Sequence, residues 1–186
     1  MARGHLIVIS GASGAGKGTL VKRLLADVDH AWVSVSATTR APREGEADGR
    51  EYFFLTRDDF ERGIAAGDFL EWAEYDGNLY GTPRASVQEH LDAGDDVVLE
   101  IEVQGADQVK ANAPECKRVF VAPPSLEVLE ERLRGRGTNS EESIRARMRT
   151  AEVELSRKME YDCVLVNDDL DTAAAALADY VTGLID

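Results

Sequence analysis

At 186 residues, with 44% hydrophobic and 30% charged side chains, the chain has the size and composition of one globular domain able to bury a real core. Its formal net charge of −14 excludes a general binder of nucleic acid or anionic membrane, so any anion it holds must be met by cations gathered locally. No apolar run approaches the roughly 20 residues that span a bilayer, Met1-Ala2-Arg3-Gly4-His5 lacks the pattern of a signal peptide, and Cys116 and Cys163, without metal-ligand spacing, read as reduced thiols of a cytoplasmic protein.

The apolar run Leu6-Ile7-Val8-Ile9 predicts a first strand, residues 11–19 a tight loop, and Leu20 to Leu25 the helix after it. Ala31 to Val35 predicts a second strand, and the polar stretch 36–50 a loop. Tyr52 to Leu55 is a short strand. Thr56 to Ala66 reads as a helix, with Thr56 as N-cap, Asp59 three residues on and Gly67 as stop. Phe69 to Tyr75 predicts a strand, and Gly77-Asn78 a turn before Leu79-Tyr80. Thr82-Pro83 is expected to open a helix, with a cap hydroxyl and proline at the first helical position, and Gly94 to end it. Val97 to Ile101 is apolar and β-branched enough for a central strand, followed by a short helix over about 105–112 and a strand at Arg118 to Val121. Pro123-Pro124-Ser125 caps a helix ending near Gly135, and Gly135 to Asn139 is a loop. Ser140 caps a long helix to about Met159, Cys163 to Val166 is the last strand, and a closing helix begins near Leu170.

Short apolar strands alternating with helices predict an α/β fold, a parallel sheet covered on both faces. Residues 37 to about 80 interrupt the alternation and read as an inserted subdomain over the carboxyl ends of the strands, where such sheets bind ligands.

The loop Gly11-Ala12-Ser13-Gly14-Ala15-Gly16-Lys17-Gly18-Thr19, between a strand and a helix, is a Walker A phosphate loop. Its glycines let successive N–H groups point into one concavity, at the positive end of the following helix. Lys17 adds a full charge where β- and γ-phosphates would lie. The pattern places Ser or Thr directly after the lysine to ligate Mg²⁺; here that position is Gly18, and the hydroxyl comes one later, at Thr19. Thr19 is therefore a candidate metal ligand, with water and phosphate oxygens holding most of the ion.

Three further stretches carry chemistry. Arg40 and Arg43, three apart and held by Pro42, with Tyr52 nearby, could clamp the phosphate of an acceptor; a pair of solvated loop arginines is the alternative. Glu71 and Glu74 lie in one predicted strand, and Glu100 and Glu102 share one face of the Val97 strand by alternation. A carboxylate can accept the adjacent N1–H and amino group of guanine, a donor pair that adenine lacks, or hold the waters of a metal ion, as Glu100 is placed to do. Solvent-facing Glu71 and Glu74 are the alternative. The third stretch is residues 132–149, with Arg132, Arg134, Arg136, Arg145, Arg147 and Arg149. The helix from Ser140 has an apolar stripe at Ile144, Met148, Ala151, Leu155 and Met159, and at 100° per residue Arg147 lies about 40° from Ala151. Arg147 should face the cleft, and Arg145 and Arg149 solvent.

With these residues in view, the chain resembles the guanylate kinase family, in its bacterial single-domain form. The resemblance rests on S-x-T-T-R-x-P-R-x-G-E at Ser36 to Glu46, G-R-E-Y-F-F at 49–54, F-L-E-W-A at 69–73, Y-G-T at 80–82, L-E-I-E-V-Q-G at 99–105, G-R-G-T at 135–138 and V-N-D-D-L at 166–170. It implies a P-loop nucleoside-monophosphate kinase fold over 1–186, with a core at about 1–35, 83–122 and 160–186, a GMP-binding region at about 36–82 and a lid at about 123–159. It implies ATP and GMP as substrates and Mg²⁺ as cofactor. Arg40, Arg43, Tyr52 and Tyr80, with Glu46 of the same motif, would hold the GMP phosphate, and Ser36, Glu71, Thr82 and Glu102 the guanine. Lys17, Arg136 and Arg147 would serve the transferred phosphoryl group together with Arg132, and Asn167 would lie near the ATP base. Glu102 stands where the family pattern has aspartate, one methylene shorter. A related small-phosphate kinase, such as a ribose bisphosphate kinase, and an inert scaffold module are the rival readings. Monomer and homo-oligomer are both open.

Overall fold

The strand Leu6–Gly11 (β1) is buried along its whole length, as a strand in the middle of a covered parallel sheet must be. In this computed structural model, which describes residues 3–135 and 140–184, β1 is the third of five parallel strands. The order is Ala31–Val33 (β2), Asp96–Glu100 (β7), β1, Lys117–Ala122 (β8) and Cys163–Val166 (β9). Leu6 to Ile9 pair with Val97 to Glu100 on one side, and Ile7 to Gly11 with Lys117 to Val121 on the other.

Alternation along these strands makes two cores. Ile7, Ile9, Val98, Val119 and Val121 point to one face, against Leu20 and Leu24 of the helix Lys17–Asp27 (α1), Leu129 and Leu133 of Leu126–Gly135 (α5), Ile144 and Ala151 of Glu141–Ser156 (α6), and Leu177 of Leu170–Thr182 (α7). Leu6, Val8, Val97, Leu99 and Phe120 point to the other, against Leu91 of Arg84–Ala93 (α3) and Val109 of Val103–Asn112 (α4). Among the described residues no helix is long and apolar enough to cross a membrane.

A second sheet of four strands has the order Phe53–Phe54 (β4), Ala37–Thr38 (β3), Asn78–Pro83 (β6), Phe69–Tyr75 (β5). The helix Arg57–Ala66 (α2) closes its small core of Ala37, Phe60, Phe69 and Leu79, with the Phe60 and Phe69 rings stacked at 4.2 Å between centroids. The Thr56 hydroxyl accepts from the Asp59 amide as expected, and Gly67 ends α2 at φ 76.

Apart from shifts of about two residues at element ends, the structure departs from the sequence reading at four places. The stretch expected as loop from residue 36 contains β3, two residues held as strand by pairing with β4 and β6. No local periodicity announces a strand that short. Thr82-Pro83 does not open a helix. Both residues end β6, α3 starts at Arg84 without a side-chain cap, and the Thr82 hydroxyl donates instead to Glu71. Third, β7 stops at Glu100, so Glu102 is the residue before α4 and not a second member of the strand face. Last, α6 ends at Ser156, and Met159, assigned to its apolar stripe, is 80% exposed. The chain leaves the helix at Arg157, whose guanidinium is held by Asp107 at 2.8 and 3.0 Å. A one-turn 3₁₀ helix follows at Lys158–Glu160.

Candidate active site

The residues following β1 form a phosphate cradle from their own backbone. Gly11 has φ 142, and a Cβ there would lie 2.1 Å from the Val121 carbonyl oxygen. Gly16 has φ 93, and a Cβ there would lie 2.4 Å from the Asn167 amide nitrogen. Both positions therefore require glycine. The Ala15 amide donates to the Ala12 carbonyl at 3.0 Å, and Asn167 Nδ2 donates to the Ala15 carbonyl at 2.7 Å, so Asn167 braces the loop from β9's end. Lys17, 9% exposed, folds back and donates from Nζ to the Gly11 carbonyl at 2.7 Å. Helix α1 starts at Lys17 with no side-chain cap and no acid in its first turn. Its N-terminal amides and positive dipole end face the loop, an arrangement suited to anions.

Beside the cradle, Gly14, Gly16, Thr19, Arg132, Asn167, Asp168 and Leu170 line a groove of about 370 Å³. In front of it, a cleft of about 740 Å³ separates the two sheets. Ser13, Glu100, Glu102 and Arg147 line it from the parallel-sheet side; Ser36, Tyr52, Glu71 and Tyr80 line it from the other. Loop and second sheet thus meet across one space.

Glu71 on β5 is 8% exposed, with Oε1 accepting from the Thr82 hydroxyl at 2.7 Å. Burial pushes its carboxyl pKa up, and the Thr82 hydroxyl and amide pull it back. Gly105, in the first turn of α4, packs close to it: a Cβ there would sit 3.0 Å from Glu71 Oε2. Tyr52 and Tyr80 meet edge to face with 6.0 Å between centroids. Arg40 is occupied. Its Nη2 donates to both oxygens of Glu46, at 2.9 and 3.0 Å, and its guanidinium lies 5.4 Å from the Tyr52 ring centroid. Glu46 also accepts from the Arg43 amide at 2.7 Å, while the Arg43 side chain is exposed. The two arginines are neighbours, but only Arg43 is unoccupied by Glu46's carboxylate at its guanidinium.

Lys17 Nζ lies 3.9 Å from Glu102 Oε1. A Cβ on Gly18 would lie 3.3 Å from Glu100 Oε1, so Glu100 reaches the start of α1. Burial, offset by Lys17 and reinforced by Glu102, pushes the Glu100 carboxyl up. Arg147 approaches Ser13, with Nη1 3.5 Å from Oγ, whereas Arg145 and Arg149 are exposed, as the helical angles predict. Arg136 lies outside the described residues. Sequence reasoning passed over Glu154, which lines the cleft and is buried. Its one signal is the spacing of seven residues from Arg147, which puts both on one helix face.

Comparison with known proteins agrees across the chain. The family model described as guanylate kinase matches residues 3–184. The chain is 56% identical over 174 residues to the guanylate kinase of Parasynechococcus marenigrum (strain WH8102), covering 94% of this chain and 96% of that protein. It is 50% identical over 185 residues to that of Rubrobacter xylanophilus, covering 100% and 97%. The crystal structure of guanylate kinase from Anaplasma phagocytophilum superposes with a TM-score of 0.74 at 32% identity, covering 98% of this chain and 87% of that one. The shikimate kinase structure from Bacteroides thetaiotaomicron, at 17% identity and a TM-score of 0.52, shares the fold alone.

Proposed function

The chain belongs to the guanylate kinase family, whose members phosphorylate GMP to GDP with ATP, and from that premise we propose how its own residues divide the work. The observation that carries the reading is the single cleft joining the Lys17 loop to Glu71 and Tyr80. The phosphate loop, with Lys17 and the amides at the start of α1, takes the donor's phosphates, and the groove at Arg132 and Asn167 takes the rest of ATP. Ser36, Tyr52, Glu71, Tyr80 and Thr82 receive GMP, with Arg40, Arg43 and Glu46 above its phosphate.

Glu71 selects the base. Its Oε1 accepts from Thr82, and Oε2 lies so near Gly105 that a Cβ there would crowd it; guanine's two adjacent donors, arriving from the cleft that Glu71 lines, would restore what burial removed. Glu102 lies against Lys17, so its contact with guanine requires the side chain to turn from the lysine.

No general base is needed. The second pKa of a monophosphate is about 6, so the attacking oxygen is ionised at neutral pH. The barrier is the approach of two polyanions in line, and Lys17, Arg147, Arg43 and Arg136 lower it by charge and position. The donor set suits Mg²⁺ held mainly by phosphate oxygens and water: the position after Lys17 is Gly18, Thr19 is the hydroxyl at hand, and Glu100 reaches this point. Bound there, the ion would neutralise charge on the β- and γ-phosphates. We place the enzyme in the cytoplasm, in purine nucleotide metabolism.

The test offers purified chain MgATP with GMP, AMP or ribose 1,5-bisphosphate and follows ADP release. Release with GMP alone is expected. Turnover of the bisphosphate without GMP turnover, or no turnover at all, overturns the reading.

A further inference from the structure

Glu154 is a buried carboxyl of the cleft that the reaction does not use. It stands on α6 two turns beyond Arg147, within about 20° of it around the helix, and both line the cleft. It is 7% exposed, and its Oε2 has no hydrogen-bond partner among the described residues. Three groups bear on it from other elements: the Ser13 amide in the phosphate loop, the Glu102 carboxylate ahead of α4, and Lys17 on α1. Glu100 and Arg147 line the same space. On the other side of α6, Glu130 of α5 lines a separate hollow with Arg145, Arg149 and Glu152, and those three lie roughly 140–180° away from Glu154 around the helix. β1, on which α6 also packs, has no charged residue.

We propose that Glu154 is a positioning residue for phosphoryl transfer: as the neutral acid it fastens α6 to the phosphate loop at Ser13 and to Glu102, and it takes up its proton when a triphosphate fills the loop. The inference rests on the reading of that loop as the donor site. Burial and Glu102 push the Glu154 carboxyl up to about 7, with Lys17 and the Ser13 amide opposing. A triphosphate remains net negative even with its magnesium ion, and that charge near Glu102 and Glu154 disfavours ionised Glu154 further. A proton from solvent relieves this. Carried on the partnerless oxygen, it is donated to Glu102, which turns a repulsive pair into a hydrogen bond and leaves the other oxygen for Ser13. Arg147, on the same face of the same helix, is thereby held over the donor.

The test is calorimetric titration of the chain and of Glu154→Gln with a non-hydrolysable MgATP analogue, without GMP, in buffers of unequal ionisation enthalpy near neutral pH. The ligand's own proton change is common to both chains. The unmodified chain should take up roughly half a proton more than the glutamine variant; equal uptake overturns the proposal. Because no acceptor is present, this result stands apart from failure of the GMP assignment. Rate measurements add a second arm. Glu154→Gln, which keeps a donor group, should hold kcat within about threefold and lose the alkaline fall in kcat/KM for ATP, while Glu154→Ala should lose about tenfold in kcat. A glutamine variant as slow as the alanine one, with the pH profile unmoved, is what plain packing predicts and refutes the positioning role.

Discussion

The two sides of the cleft are built by different means. On the parallel-sheet side the binding surface is backbone: glycines at φ 142 and φ 93, amides converging after β1, and a brace from Asn167. On the four-stranded side it is side chains resting on one another: Arg40 on Glu46, Thr82 on Glu71, Tyr52 against Tyr80. A backbone cradle is preformed, and its shape is indifferent to most substitutions outside its glycines, even where a side chain such as Lys17 carries the charge. A side-chain site must exchange internal partners for ligand, and each partner tunes what it accepts. The first arrangement suits phosphates common to all triphosphates; the second suits choosing one base.

The largest expected effect strikes the cradle. Lys17→Met should lower kcat by roughly a thousandfold or more while leaving GMP affinity nearly unchanged, since its charge serves the transferred group. A variant with comparable turnover would remove Lys17 from the mechanism, and one that lost GMP binding would show that the two sides are not separable. Next, Arg43→Ala should weaken the dependence on GMP by about 2–3 kcal/mol at most, one charge-assisted contact, with ATP binding unmoved. Unaltered GMP dependence would count against the clamp.

A third measurement concerns stability against pH. The Glu154 carboxyl is near 7 in the folded chain and near about 4.3 in an unfolded one. Between these values the folded chain binds more protons, so the contribution is full below about 4.3 and is lost as pH rises through about 7. Glu154→Gln should therefore raise Tm relative to the unmodified chain more at about pH 8 than at about pH 5, a difference of about 2–3 kcal/mol in stability. Parallel melting curves at both pH values would mean that the carboxyl is not held up by burial. The smallest effect belongs to the four-stranded side alone. Thr56→Ala removes the cap of α2 and should cost about 1 kcal/mol, read as faster hydrogen exchange in α2 with the α1 amides unaffected. Matching acceleration in α1 would mean that the two sheets open as one unit.

The phosphate loop could be read from the chain because its chemistry is local: strand, glycines, lysine and helix occupy fewer than 25 consecutive residues. The same holds for the Thr56 cap and for the outward aim of Arg145 and Arg149, which need only helical angles. The Thr82 hydroxyl does not cap α3 as its local sequence predicts, because its partner, Glu71, is eleven residues away across a strand pair. β3 was missed because two residues make a strand only when neighbours on both sides supply the hydrogen bonds.

Sequence by itself determined the α/β alternation, the phosphate loop and the motifs that mark the guanylate kinase family, all features written in residues near one another along the chain. Tertiary structure alone decided that Arg40 rests on Glu46, that Asn167 braces the Ala15 carbonyl, and that Glu154 is buried beside Glu102. Burial and charge pairing depend on which distant segments meet, and a carboxylate's protonation follows from that company more than from its own identity.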